Sequence, residues 1–130
     1  MKKSSEKISS IRQQIYLLQK ERNSLIWNLL DSLNSAVFIP ASFSFVYKTC
    51  GNLNCKCHKG EKHGPYPALQ IKINNKSVLK MIKKEKESEI RQKINAYKKY
   101  QTGLARINKL NMQINKLLQE ARNNRMEKYP

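Results

Sequence analysis

Carboxylates are scarce in this chain. Its 130 residues include 9 Asp and Glu against 26 Lys and Arg, a formal net charge of +17. The few acids that occur lie mostly in helical stretches, so no carboxylate cluster could hold catalytic Mg²⁺ ions for phosphoryl transfer. We therefore expect no catalytic activity. Apolar residues are also sparse, at 39% with a mean hydropathy of −0.72. That argues against one large core, and no run approaches the length of about 20 apolar residues that crosses a bilayer. Cysteine is limited to three residues, Cys50, Cys55 and Cys57. An odd number packed so closely argues against a secreted disulfide framework and for a metal site. Met1-Lys2-Lys3 leads into polar Ser4-Ser5-Glu6-Lys7 and not into an apolar signal-type run, which points to the cytoplasm.

The positive charge is uneven. Residues 1–34 carry 6 basic and 3 acidic groups, residues 35–84 carry 9 and 1, and residues 85–130 carry 11 and 5. A field of that sign attracts polyanions, and its concentration in the middle segment favours a nucleic-acid surface over mere solubility. Neither helical segment has the fully basic polar face and bulky apolar face of a membrane-surface helix.

Three segments follow from the pattern. In residues 1–34, Ile8, Ile11, Ile15, Leu18, Leu25 and Leu29 recur at alternating three- and four-residue steps, with Arg22 in the one missing position. That spacing predicts a coiled-coil-like helix from about Ser5 to Leu33, some 43 Å long. Residues 35–84 read differently. Phe43, Phe45 and Tyr47 alternate as on a half-buried strand, and a Cys/Gly/His/Pro-rich loop follows. Ala68–Ile73 and Val78–Ile82, joined by Asn74-Asn75-Lys76, then predict a β-hairpin. Residues 85–130 begin with Glu85, Glu87 and Glu89, which suit a helix N-terminus. Their stripe is Ile90, Ile94, Tyr97, Leu104, Ile107, Leu110, Ile114, Leu117 or Leu118, and Ala121, with Gln101 and Gly103 weakening its middle. The expected fold is α+β, mostly α: two long coiled-coil-like helices flanking a small zinc-stabilised β-hairpin head. The two stripes pair either with each other or, in a homodimer, with a second chain.

The chemistry centres on Cys50-Gly51-Asn52-Leu53-Asn54-Cys55-Lys56-Cys57-His58 and, beyond Lys59-Gly60-Glu61-Lys62, on His63-Gly64-Pro65-Tyr66. A structural zinc ion takes four thiolate or imidazole ligands at tetrahedral corners. Cys50 and Cys55 bracket a turn, and Cys55 and Cys57 project to one side of an extended Cys-x-Cys. His58 adjoins Cys57 and leaves in another direction, whereas His63 has room for the chain to turn back. The expected ligands are Cys50, Cys55, Cys57 and His63. The spacing C-x4-C-x-C departs from the common C-x2-C, and the competing reading is three reduced cysteines packed in a loop. A catalytic cysteine is disfavoured, because no Asn or Asp is placed to orient a histidine base. A middle segment of about 50 residues with few large apolar side chains falls in the range where a metal or cross-link is needed for stability.

These residues resemble a family of small uncharacterised prokaryotic proteins often found beside transposases. The resemblance spans roughly Val46 to Leu110 and is carried by Cys50, Gly51, Cys55, Cys57, Lys59, Gly60, His63, Gly64, Pro65 and Tyr66, with Tyr97 and Tyr100 behind them. The family pattern has no histidine at the position of His58, and relatives tend to have more tyrosines where this chain has Pro67-Ala68. The resemblance implies a mobile-element context. The expected function is a non-catalytic, DNA-binding regulator or helper of a transposase or recombinase. Lys48, Lys56, Lys59, Lys62, Lys72, Lys76, Lys80, Lys83 and Lys84 would contact phosphates, with Asn52, Asn54 and Tyr66 as candidate base contacts. The alternative is an RNA-binding or protein-docking module whose helices bind a larger enzyme.

Overall fold

A computed structural model describes residues 2–130, with side chains from residue 5 onward. In chain order the elements are α1 (Lys2–Ser32), β1 (Ser42–Lys48), β2 (His63–Ile73), β3 (Lys76–Met81) and α2 (Glu87–Asn124). Short 3-10 turns occupy Lys56–Lys59 and Lys84–Lys86. The chain is α+β. It divides into a helical unit, residues 1–35 with 99–130, and a sheet unit, residues 36–98. The first turns of α2 thus belong with the sheet, and the remainder belongs with α1.

In the helical unit the two stripes face each other within one chain and run antiparallel. Lys7 approaches Glu120 at 3.8 Å, and Arg106 pairs with Glu21 at 2.7 Å. Ile11, Leu110 and Ile114 are buried along the seam. Gly103 also lies in the seam: a Cβ there would meet Leu29 Cδ2 at 2.7 Å. The glycine that weakened the sequence pattern is therefore a point of close helix approach. Leu104, expected in the stripe, is 40% exposed instead. The heptad spacing runs through Gly103, Ile107, Leu110, Ile114, Leu117 and Ala121, and Leu117 is the half-buried member of the Leu117–Leu118 pair. Arg22 fills its seam position by reaching outward. Its Nη1 donates to Asn111 Oδ1 at 3.1 Å and its Nη2 to Asn23 Oδ1 at 3.3 Å. Arg22 Nε is buried with no partner among the described residues.

The sheet unit is built on three antiparallel strands in the order β1-β2-β3. β1 extends the expected hairpin, pairing Phe43 with Leu69 and Ser44 with Ala68. The β2–β3 turn is a two-residue connection through Asn74 and Asn75, with φ of 51° and 65°. Asparagine tolerates that left-handed geometry, which matches the twist of a hairpin. Phe43 and Phe45 meet edge to face at 5.2 Å. The Arg91 guanidinium of α2 sits over both, 4.4 Å from the Phe43 ring centre. The incoming segment is tied to the same helix: Ile39 N–H donates to Lys93 O at 3.2 Å, and Phe38 packs edge-on against Tyr97. Ala68, Ile82 and Ile94 are buried. So small a core leaves the rest of the unit to local turns and side-chain clusters.

Candidate metal centre

The connection between β1 and β2 organises itself around short-range hydrogen bonds. Asn52 Oδ1 accepts the Asn54 N–H at 3.0 Å, the self-capping turn that asparagine favours. Cys55 N–H closes the turn on Asn52 O at 3.1 Å. The 3-10 turn then carries Cys57 inward and ends at Gly60, whose φ of 110° lies in the left-handed region. β2 returns beside β1 with a register shift. Val46 stands opposite Tyr66 but Lys48 stands opposite His63, so β2 carries one extra residue there. This bulge brings His63 to the cysteines. Gly64 makes it possible: with φ of +141°, it lies under Tyr47, where a Cβ would come 2.8 Å from Val46 O and 2.9 Å from Tyr47 Cδ1.

Four donor atoms converge as a result. The Sγ atoms of Cys50, Cys55 and Cys57 and a ring nitrogen of His63 all lie within 4.8 Å of one another. Cys50 Sγ and Cys57 Sγ are 3.5 Å apart, and Cys55 Sγ is 3.2 Å from His63 Nε2. A tetrahedral ion with ligand bonds of about 2.0–2.3 Å spaces its donors by roughly 3.3–3.8 Å. The cluster is therefore compatible with a metal site. Cys50 N–H donates to Cys57 Sγ at 3.2 Å, a contact suited to a thiolate. His58 stands apart from the donors: its Nε2–H donates to Cys50 O at 2.9 Å and braces the turn.

The thiols differ in acidity. Cys55 is lowered from 9.0 to about 6 by the Cys57 backbone N–H, then by hydrogen bonds from the Cys57 and Cys50 thiols and from His63. Cys57, only 2% exposed, is pushed up, mainly by its burial and further by Cys50 and Cys55 beside it. One thiolate is stabilised by the cluster and a second is opposed by it. A cation at the centre would reverse that opposition.

All nine lysines expected to meet phosphate are exposed. None is in an ion pair among the described residues. Lys56, Lys59 and Lys62 sit on the loop that carries the cluster, and Lys48 lies opposite His63. The others do not share one face of the sheet: Lys80 pairs with Leu69, whereas Lys72, three residues further along β2, pairs with Ser77. Lys76 pairs with Ile73, and Lys83 and Lys84 lead into α2. Asn52 spends its side-chain oxygen on its own turn, Asn54 is exposed, and Tyr66 is 40% exposed. The sequence pattern did not reveal the brace made by His58, the Tyr47–Gly64 contact or Arg91 over the phenylalanines. The Gly-Pro that follows His63 was the one visible sign of unusual backbone there.

Fold and cluster define a small α+β protein in which a Cys₃His group closes the loop of a three-stranded sheet. The chain belongs to the family described as Domain of unknown function (DUF6788), whose model matches residues 8–92. No curated protein and no solved structure matches the chain. No helix among the described residues is long and apolar enough to cross a membrane.

Proposed function

We propose that this protein is a non-catalytic nucleic-acid-binding accessory factor whose Cys₃His cluster holds a structural zinc ion. Three thiolates and an imidazole are a donor set that suits zinc. Four protein ligands close the coordination sphere, so the ion would supply structure and no open position for hydrolysis. The observation that carries the reading is the set of nine exposed lysines without carboxylate partners among the described residues, four of which, Lys48, Lys56, Lys59 and Lys62, lie beside that cluster. Unpaired surface lysines keep their full charge for phosphate, and duplex DNA is the favoured ligand. The resemblance of the Cys50–Tyr66 signature to proteins beside transposases favours a regulator or helper of a transposase or recombinase, acting in the cytoplasm.

The test has two arms. Protein purified without chelator should carry about one zinc per chain, and chelation should release it with loss of structure in the sheet unit. Cys55→Ser should abolish binding and His63→Ala should weaken it severely. His58→Ala should cost only the brace, about 1 kcal/mol. Titration against duplex DNA, single-stranded DNA and RNA at several salt concentrations then tests the ligand. If about five lysines meet phosphate on duplex DNA, the log–log salt slope is roughly −4.5. Changing Lys56, Lys59 and Lys62 together to Ala should flatten it by up to about three. Failure to bind any of the three nucleic acids at low salt refutes the proposal.

A further inference from the structure

The helical unit has a groove on each side of its seam, and the two grooves differ in charge. One carries both signs, Lys116 and Glu120, beside Gln14 and Gln113. The other, about 880 Å³, has an aliphatic floor of Ile8, Ile11, Ile15, Leu118 and Ala121. Its charged lining is Arg12, Arg122 and Arg125, with no carboxylate among the described residues. None of these arginines is in an ion pair among the described residues, and Arg122 donates only to Asn123 Oδ1, at 3.2 Å. Leu118 is 54% exposed on the floor. An aliphatic strip in water beside uncompensated guanidinium groups lacks both an apolar cover and an anionic partner.

We propose that this groove docks an amphipathic, acidic helix of a partner protein. The helix would lay its apolar stripe on Ile8, Ile15 and Leu118 and turn its carboxylates to Arg12, Arg122 and Arg125. From Ser5 to Ile15 the groove runs about 15 Å along α1, close to three turns of a docked helix. Guanidinium forks pair with carboxylates in a fixed geometry, so the arginines set the orientation of the incoming helix. Among the described residues the floor has no aromatic ring on which a base could stack, and a phosphate backbone would leave Leu118 in water. A second copy is disfavoured by like charge, because residues 1–35 and 99–130 together carry 13 basic and 5 acidic groups. This docking is independent of the lysine-bearing sheet unit, so the protein would bind nucleic acid with one unit and a protein with the other.

The probe is a fluorescent synthetic helix with leucines at i, i+3, i+4 and i+7 and glutamates beside them, with a second probe bearing lysine at each glutamate. Anisotropy titrations use the full-length wild type and three double variants. The glutamate probe should bind wild type and the lysine probe should not. Arg12→Glu/Arg125→Glu should weaken the glutamate probe by about tenfold or more and gain binding of the lysine probe. That gain of function separates the effect from misfolding. Lys20→Glu/Lys109→Glu, which makes the same charge change outside the groove, should leave binding within about twofold of wild type. Lys56→Ala/Lys59→Ala should also leave it unchanged while weakening DNA binding, which keeps this test separate from that of the sheet unit. Equal loss in the Lys20/Lys109 variant overturns the proposal, as does displacement of the probe by a single-stranded oligonucleotide.

Discussion

Replacing Gly64 by alanine should weaken metal binding although it removes no donor. The added Cβ would lie 2.8 Å from Val46 O and 2.9 Å from Tyr47 Cδ1. The Tyr47 ring could turn aside, but Val46 is backbone held in register opposite Tyr66. A non-glycine residue at φ +141° costs about 1–3 kcal/mol of backbone strain. Overpacking against the carbonyl adds about 1–3 kcal/mol. The simplest relief is for the start of β2 to move away from β1, which takes His63 with it and opens its 3.2 Å approach to Cys55. If half of a total near 2–6 kcal/mol falls on the placement of His63, metal affinity drops roughly 5- to 160-fold. Two other glycines in the same region calibrate the result. Gly60 has φ +110° but nothing within 4 Å of a Cβ, so Gly60→Ala should cost only about 1 kcal/mol. Gly51 has open space and no positive φ, and Gly51→Ala should stay within about 0.5 kcal/mol of wild type. Competition against a chromophoric chelator, with thermal melts of the metal-loaded and metal-free forms, reads all three. If Gly64→Ala matches Gly51→Ala in both assays, the argument that the bulge positions His63 is refuted.

Other outcomes are expected from the same geometry. In metal-free protein, Cys55 should alkylate with a pH midpoint near 6 while buried Cys57 stays protected, as peptide mapping of the modified thiols will show. Because the Cys55 pKa is depressed, its contribution to stability is complete above the ordinary thiol value of 9.0. It is lost as pH falls through about 6, so metal-free protein should be less stable at pH 5 than at pH 8. Leu110→Ala, at a fully buried seam position, should destabilise the helical unit by about 2–5 kcal/mol in urea melts followed by circular dichroism. A loss below about 1 kcal/mol would mean that the seam is not packed as described. Arg22→Leu should raise stability by about 1 kcal/mol, since it removes a buried Nε without a partner. A fall instead would show that the Arg22–Asn111 bond outweighs that orphan group.

Much of this protein was legible in its sequence, and the reasons are local. Heptad spacing from Ile8 to Leu29 specifies α1 because a helix returns to the same face every three to four residues. Alternation in Ala68–Ile73, with Asn74-Asn75 after it, specifies the hairpin for the same kind of reason. Three cysteines with two histidines beside them stood out as a donor set by chemistry alone, and the charge excess needs only counting. Tertiary structure decided the rest, because those features depend on residues far apart in sequence or on the absence of a side chain. Only the fold shows that α1 and α2 pair within one chain, since either seam would look the same facing a second copy. Gly103 has no side chain to register in a hydrophobic pattern, yet Leu29 packs into the space that its Cβ would take. His58 and His63 offer the same imidazole. It is the one-residue bulge over Gly64 that brings His63 to the thiols, while His58 is left to hydrogen-bond the Cys50 carbonyl.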